Sequence, residues 1–274
     1  MYILFDIGGT KMRLAGSQNG RSFSEPIILR TPKRFAEGIA LFTRHARLLA
    51  GKERIIAIAG GVAGPMDPDR NRLVNAPNLK QWAGRPIRHE LTKALRAPVY
   101  INNDAAIVGL GEALWGAGKG KDIVAYMTIS TGVNGVRITH GHIEESTYGY
   151  EIGHQIICGE KKVATLEELI GGRHLQRKFH VHPREIKRMS IWNSLARSLA
   201  YGINNTIMYW SPDIVVLGGS MMKIPGIPID EVRKQVNRVQ RIFPKTPKIV
   251  KAKLGDIGGL YGAMEYLKQS IHSQ

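Results

Sequence analysis

The sequence predicts an α/β protein made of two duplicated halves. Two segments carry this prediction, because each reads as a strand, a polar glycine turn and a second strand. Residues 2–16 turn at Gly8-Gly9, and residues 123–138 turn at Ser130-Thr131-Gly132. Mixed helical and buried-strand patterns follow each hairpin. Two hairpins of one design indicate an internal duplication, with a ligand cleft expected between the halves.

Length and composition favour a globular protein of two domains. The chain has 274 residues and is 43% apolar, enough for sizeable cores. We expect a first domain at residues 1–104, completed by the carboxyl-terminal helix, and a second at 105–274. The single cysteine, Cys158, excludes an internal disulfide. No apolar run is long enough to span a membrane, so we expect a soluble, cytoplasmic protein.

The charge is strongly basic: 39 Lys and Arg against 22 Asp and Glu give +17. This favours anionic partners, which could be nucleic acid, a nucleotide, polyphosphate or simple counter-anions. The basic segment 173–188 is interpreted as a solvated face of an inserted helical segment, with histidine-rich metal binding as the alternative. Specific nucleic-acid binding is disfavoured, because no helix-turn-helix region precedes the first strand.

The first hairpin has the composition of a phosphate clamp. Asp6 precedes the Gly8-Gly9 turn, whose glycines accept positive φ values, and Thr10 and Lys11 follow it. Backbone N–H groups, a hydroxyl and an ammonium can surround an anion while the carboxylate holds a hydrated Mg²⁺. Neither the Walker nor the Rossmann glycine pattern is present. The alternative is an ordinary glycine hairpin.

A lone acid, Asp104, follows the apolar run 97–101 and precedes a helix-like segment. In α/β proteins the carboxyl ends of strands open into the ligand crevice, so this position favours a functional acid. The alternative is an Asn-Asn-Asp helix cap.

Other polar candidates lie at predicted loops and strand ends. The glycine and proline loop 60–67 is expected to bring backbone close to a ligand. The amide of Asn78 suits a sugar hydroxyl, although an Asx-turn explains such residues as well. Glu151, His154 and Glu167 are close enough in sequence to share a metal site or a hydroxyl-binding pocket, or to be solvated. A buried strand ends at Gly218-Gly219, where an adenine ring can lie against backbone, and residues 22–29 are predicted as a strand.

The ordered motifs together resemble the ROK family of repressors, open-reading-frame proteins and sugar kinases. The resemblance covers essentially the whole chain and implies the two-domain actin-like ATPase fold, which is ribonuclease H-like. Its motifs are Asp6-Ile-Gly-Gly-Thr-Lys11, Gly60-Gly-Val-Ala-Gly-Pro65, Ala76-Pro-Asn-Leu79, Asn103-Asp104, Ser130-Thr-Gly132, Glu151-Ile-Gly-His154, Pro212-Asp213 through Leu217-Gly-Gly219, and Gly255-Asp256 through Gly262-Ala263.

The resemblance implies an ATP- and Mg²⁺-dependent hexose kinase acting on the 6-hydroxyl of glucose as the first choice. N-acetylhexosamines and fructose are alternatives, as is a sugar-sensing transcriptional regulator, and a homodimer is expected. Asp104 would be the general base, and Asp6 would hold Mg²⁺ through water. The sugar would be held by Gly64, Asn78, Asn103, Asp104, Glu151, His154 and Glu167. Phosphates and adenosine would be held by Asp6, Gly8, Gly9, Thr10, Lys11, Thr131, Gly132, Gly218 and Gly219.

One departure from the family pattern concerns zinc. Many members combine the His of the Gly-His pair with three cysteines in a C-x-C-G-x-x-G-C run. Here the corresponding segment, residues 155–166, is short and holds only Cys158. Because thiolates build such closed sites, we expect no structural zinc of that type.

Overall fold

The computed structural model describes residues 1–158 and 163–272, and two five-stranded sheets dominate it. Strand order is β3-β2-β1-β4-β5 in one sheet and β8-β7-β6-β11-β12 in the other, and β9 pairs with β10. The strands are β1 (Tyr2–Ile7), β2 (Lys11–Ser17), β3 (Ile27–Arg30), β4 (Ala57–Val62), β5 (Val99–Asn103), β6 (Ile123–Ile129), β7 (Val133–Thr139), β8 (His142–Ile143), β9 (Ile156–Cys158), β10 (Ala164–Thr165), β11 (Ile214–Gly218) and β12 (Lys248–Lys251).

Eight α-helices accompany the sheets in the described part of the chain. They are α1 (Phe35–Ala50), α2 (Ile87–Leu95), α3 (Asp104–Leu114), α4 (Leu166–Ile170), α5 (Gly172–Phe179), α6 (Met189–Trp210), α7 (Ile229–Val239) and α8 (Gly258–His272). Within residues 1–158 and 163–272, no helix is both long enough and apolar enough to cross a bilayer.

The two large sheets have the same topology. In each, three consecutive strands form an antiparallel meander, β1-β2-β3 and β6-β7-β8. The first strand of each meander then pairs in parallel with a later strand, β4 or β11, which pairs in parallel with the last strand, β5 or β12. The prediction of an α/β fold with duplicated halves is confirmed.

Most predicted elements occur close to their expected positions, and the third strand is the main exception. The segment 22–29 was expected to be extended throughout, but β3 begins only at Ile27. Pro26 immediately precedes it and has no N–H to donate to a ladder. Before the proline, Ser24 pairs locally instead, donating its N–H to the Gly16 carbonyl at 2.8 Å.

The chain divides into two compact units with separate apolar cores. One unit comprises Met1–Gly111, Glu145–Gly149 and Asp256–Gln274, and the other Glu112–Glu144 and Tyr150–Gly255. The core of the first unit includes the edge-to-face pair Phe5 and Phe42, which joins β1 to α1. The core of the second unit is built largely from α6, including the fully buried Leu199 and Ile203.

Within the first unit, the backbones of α3 and α8 pack directly against each other. A side chain on Gly262 would collide with the Ile107 carbonyl, and one on Gly111 would collide with the Gly258 carbonyl. Glycine is therefore required on both helices at this crossing. Likewise, a Cβ at Gly61 of β4 would lie 2.8 Å from the Asp104 Cα. These close contacts hold α3, with Asp104 at its first turn, against β4 and α8.

Candidate active site

The amino terminus of α3 carries Asp104, but the helix is capped by the residue before it. The Oδ1 of Asn103 accepts the N–H groups of Ala105 at 2.9 Å and Ala106 at 3.3 Å. This is the ordinary N-cap arrangement. Asp104 is half-buried, and its own Oδ1 also accepts the Ala105 N–H at 2.9 Å. The N-cap of α3 is therefore Asn103, and Asp104 is the first residue of the helix.

Asn103 is held on its other side as well. Its Nδ2 donates to the Gly64 carbonyl at 3.0 Å, and its backbone N–H donates to the Asn102 Oδ1 at 2.8 Å. Asn102 in turn shares a hydrogen bond with Tyr266, whose pKa is raised chiefly by burial. Gly64 has a φ of +129°, which a side chain would strain, so glycine suits this loop. The backbone that presents Asp104 is thus fastened to the loop after β4 and to α8.

The tip of the first hairpin is supported by β3 and by the Asn78 loop. Gly8 donates its N–H to the Lys11 carbonyl at 2.9 Å, and the buried Thr31 donates its hydroxyl to the Gly8 carbonyl at 2.8 Å. The expectation of positive φ at Gly8 and Gly9 is wrong, since neither adopts it. Gly9 is needed for space, because a Cβ there would lie 2.7 Å from the Asn78 Cβ. The turn thereby brings two predicted site residues, Gly9 and Asn78, into contact.

Asp6 pairs with Arg13 directly across the hairpin. The two residues are register partners, and the Arg13 Nη1 donates to the Asp6 Oδ2 at 3.1 Å. Each side chain is 14% exposed, and Arg13 also lies 4.0 Å from Asp256. Burial raises the pKa of Asp6, and the charge and hydrogen bond of Arg13 oppose that rise. Sequence reasoning missed Arg13, although the antiparallel pairing of the predicted hairpin could have indicated it.

Asp6 fits the chemistry of a water-bound magnesium ion. Carboxylate oxygens are what Mg²⁺ prefers, and the Arg13 hydrogen bond goes to Oδ2. Gly259 of α8 leaves room beside it, since a Cβ there would lie 3.0 Å from the Asp6 Cγ. A single carboxylate beside substrate phosphates is a usual way for proteins to hold this ion.

The tip of the second hairpin is supported by a carboxylate from α4. The Glu167 Oε2 accepts the Val133 N–H at 2.8 Å, and Gly132 has no side chain where that carboxylate lies. The start of α5 adds two backbone bonds, from Gly172 to the Ser130 carbonyl at 2.7 Å and from Arg173 to the Thr131 carbonyl at 3.0 Å. Glu167 was predicted as a sugar ligand, and in this structure its carboxylate supports the turn of the second hairpin.

Glu151 and His154 lie together near Glu167 in the second unit. The His154 Nδ1 is 3.6 Å from the Glu151 Oε2, and Asn134 donates to the Glu151 Oε1 at 3.3 Å. Burial raises the pKa of Glu151, and the neighbouring Glu167 adds to the rise while His154 opposes it. His154 remains 63% exposed. Over residues 1–158 and 163–272, no three His, Cys, Asp or Glu side chains could hold a metal ion. The three-ligand metal alternative for these residues is therefore unsupported.

Gly218 is the last residue of β11, which pairs with β6, and Gly219 follows it. A Cβ on Gly218 would collide with the Tyr126 hydroxyl, and one on Gly219, whose φ is +93°, with the Ile129 backbone. Both glycines are therefore required by packing within the second sheet. The shortened segment around Cys158 was expected to lack zinc, and residues 159–162 of that segment lie outside the described residues.

The predicted residues form two groups, one in each unit. The first unit brings together Gly9 with Asn78, and Gly64 with Asn103 and Asp104. Asp6 lies in the first strand of the hairpin whose turn leads through Thr10 to Lys11. The second unit brings Gly132 to Glu167, and Glu151 to His154. Together these features define a duplicated α/β protein with a polar hairpin tip in each half.

Comparison with known proteins identifies the family. The sequence model of the ROK family matches residues 2–270, so this chain belongs to the ROK family. A crystal structure of the ROK hexokinase from Thermus thermophilus superposes with a TM-score of 0.84 at 27% identity, covering 100% of this chain and 99% of that one. The fold is the actin-like ATPase fold of the ROK sugar kinases.

Sequence relatives and a liganded structure extend the comparison. The glucokinase of Streptomyces coelicolor is 26% identical over 310 residues, covering 96% of both chains. The N-acetyl-D-glucosamine kinase of Escherichia coli O6:H1 is 26% identical over 299 residues, covering 96% of this chain and 98% of the relative. A ROK glucokinase from Streptomyces griseus, solved with glucose and AMPPNP, has the same fold, with a TM-score of 0.81 at 23% identity and coverage of 98% and 99%.

Proposed function

We propose that this protein transfers the terminal phosphoryl group of ATP to a hexose hydroxyl, with Asp104 as the general base. The observation that carries the proposal is that Asn103, and not Asp104, is the N-cap of α3. Asn103 accepts the N–H groups of both Ala105 and Ala106, while Asp104, which shares only the Ala105 N–H, lies at the strand end as a half-buried carboxylate. An acid that is not needed as the cap, at the position where α/β proteins bind ligands, is suited to chemistry.

The reaction requires little covalent help from the protein. Asp104 accepts the proton of the attacking hydroxyl, the hydroxyl oxygen bonds to the terminal phosphorus, and the bond to the bridging oxygen breaks to release ADP. A magnesium ion, held through water by Asp6, would supply neutralisation of the phosphate charge. The hairpin tips at Thr10-Lys11 and Thr131-Gly132 orient the phosphates by hydrogen bonds and charge.

The sugar is proposed to contact Gly64, Asn78, Asn103, Glu151, His154 and Glu167. Asn103 has most of its amide engaged by the protein, so its main role is to position Asp104. Glu151, His154 and Glu167 form a cluster of carboxylates and an imidazole suited to several hydroxyls.

Glucose, phosphorylated at its 6-hydroxyl, is the proposed substrate. Relatives at the same 26% identity include both a glucokinase and an N-acetylglucosamine kinase, so N-acetylated hexosamines and fructose belong in the same substrate panel. We also propose a homodimer in the cytoplasm, to be tested by light scattering after size exclusion and by cell fractionation.

The central test is Asp104→Asn, assayed by ADP release over a panel of hexoses. We expect turnover to fall by roughly 100-fold to 10,000-fold, the usual contribution of a general base, while the sugar Kd from calorimetry changes little. Asp122→Asn is the matched control, because Asp122 is an exposed carboxylate at 80% side-chain exposure. Near-normal turnover of the Asp104→Asn variant would show that the mechanism is wrong. A wild-type protein that releases no ADP with any hexose but shifts a DNA probe would instead be a regulator.

A further inference from the structure

The second unit contains a cavity that begins at the tip of its hairpin, at Thr131, and extends to arginine, histidine and serine side chains that have no proposed role above. Its volume is about 180 Å³, and its polar lining comes from Ser130, Thr131, Arg173, Gln176, His182, Arg184 and Ser220. The segment that supplies Arg173, His182 and Arg184 was interpreted from sequence as a solvated basic face. In the structure, part of that segment forms the wall of a cavity.

Two adjacent strand ends form one side of this cavity. β6 and β11 are parallel neighbours, so the serines that follow them emerge side by side. The hydroxyls of Ser130 and Ser220 lie 3.0 Å apart. This edge is where open parallel sheets bind ligands, and Ser130 belongs to the turn already proposed to hold phosphate.

The arginine side of the cavity is fastened to the same turn. The backbone N–H of Arg173 donates to the Thr131 carbonyl at 3.0 Å, and that of Gly172 donates to the Ser130 carbonyl at 2.7 Å. The base of the Arg173 side chain is therefore set by the hairpin tip itself. This links the first turn of α5 to the position of the phosphate turn.

The segment 182–184 completes the wall with another guanidinium and an imidazole. The His182 Nδ1 accepts the Arg184 backbone N–H at 3.2 Å, so the neutral ring carries its proton on Nε2, as a donor. The lining as a whole has two guanidinium groups, one imidazole, one amide and three hydroxyls, and it contains no Asp or Glu. Such a set of donors is complementary to an anion with many acceptor oxygens.

We propose that Arg173 and Arg184 bind the phosphoanhydride chain of the phosphoryl donor, with Ser130, Ser220 and His182 as supporting donors. The proposal rests on the proposed kinase function and names the part of the donor that this wall recognises. The cavity is smaller than the usual pocket for a whole ligand, which fits one end of a nucleotide. The same chemistry is offered by a nucleoside triphosphate and by inorganic polyphosphate, which suits the net charge of +17.

Calorimetry with ADP, adenosine and inorganic tripolyphosphate, at fixed Mg²⁺ concentration, tests the proposal. We expect Arg173→Gln and Arg184→Gln each to weaken ADP binding by about tenfold, the loss of one charge-assisted hydrogen bond. Adenosine binding should not change, because adenosine has no phosphate. Arg177→Gln and Lys187→Gln are matched controls, since both residues are exposed, lie in the same basic segment and are outside the cavity lining.

Tripolyphosphate separates the two sources of the ligand. Arginine-dependent binding of tripolyphosphate would assign the site to polyphosphate as well as to nucleotides. Arginine-dependent binding of ADP alone would assign it to nucleotides. Arg184→Lys, which keeps the charge but loses the planar fork, should lie between wild type and Arg184→Gln.

Two results would overturn the proposal. One is unchanged ADP binding in both Gln variants, and the other is an equal loss of adenosine binding, which would place the arginines on the nucleoside. The proposed function can fail separately. If the wild-type protein binds ADP through these arginines but phosphorylates no hexose, the anion site is correct and the proposed kinase function is wrong.

Discussion

The two hairpin tips have the same place in the same topology, yet different elements hold them. The first tip is supported by its own sheet, through Thr31 just after β3, and by close packing against Asn78. The second tip is supported by helices, through the Glu167 carboxylate of α4 and the backbone of α5. The acid of the first tip, Asp6, lies within the hairpin, whereas the acid of the second is brought from elsewhere in the chain.

The two halves therefore share a strand order, but each supports its hairpin turn through different contacts. The first tip holds a cationic partner for its acid inside the sheet, in Arg13. The second tip is continuous with a cationic wall formed by Arg173 and Arg184. A substitution that weakens the contacts of one hairpin tip should therefore leave the contacts of the other tip unchanged.

Removing the cation of the first hairpin should have the largest effect on stability. Arg13→Met leaves Asp6 buried without its ionic partner, and we expect the free energy of unfolding to fall by about 3 kcal/mol, measured by urea denaturation. Asp6→Asn combined with Arg13→Met should recover most of the loss. Arg34→Met removes a cation from an exposed ion pair with Glu37 and should cost less than about 1 kcal/mol.

The pH dependence of this loss has a defined sign. Arg13 opposes the burial-driven rise in the pKa of Asp6, so its removal raises that pKa further. The folded variant then binds a proton at higher pH than the folded wild type. Its stability deficit should shrink as the pH falls through the raised pKa of Asp6. A deficit independent of pH would mean that Arg13 contributes through packing alone.

Adding one methyl group to each tip compares the two supports directly. Gly9→Ala meets the Cβ of Asn78 at 2.7 Å and its carbonyl at 3.0 Å, whereas Gly132→Ala meets the end of the Glu167 side chain. We expect a cost of about 2 kcal/mol at Gly9, because backbone must move, and about 1 kcal/mol at Gly132, because a carboxylate can rotate away. Thermal unfolding of both variants measures the two losses of stability. A larger loss for Gly132→Ala than for Gly9→Ala would show that the second tip is the more rigid.

The smallest expected effect is at the buried hydroxyl of the first support. Thr31→Val removes the hydrogen bond to the Gly8 carbonyl and should cost about 1 kcal/mol in chemical denaturation. Thr43→Val is the control, because its hydroxyl is buried without a hydrogen-bond partner among the described residues, so the change should be neutral or stabilising. Equal losses in the two variants would mean that the Thr31 bond contributes nothing specific.

Much of the fold could be predicted from the sequence because its signals are local. The glycine turns, the apolar strands and the strand end at Asn103 are set by short-range periodicity and turn chemistry, and the duplicated meanders followed from recognising two similar hairpins. The candidate acid Asp104 was identified in the same way. The order of these motifs along the chain then indicated the family and, with it, the two-domain fold.

Local patterns in the sequence identify the residues that end strands and turns, and therefore where polar groups lie along the chain. The partners of these groups depend on the tertiary structure. Asn103 rather than Asp104 became the cap, Glu167 came to hold the second turn, and Arg173 and Arg184 came to line a cavity. Contacts such as that between Glu167 and Val133 join residues far apart in sequence, so they depend on packing between elements and leave no periodic pattern in the chain.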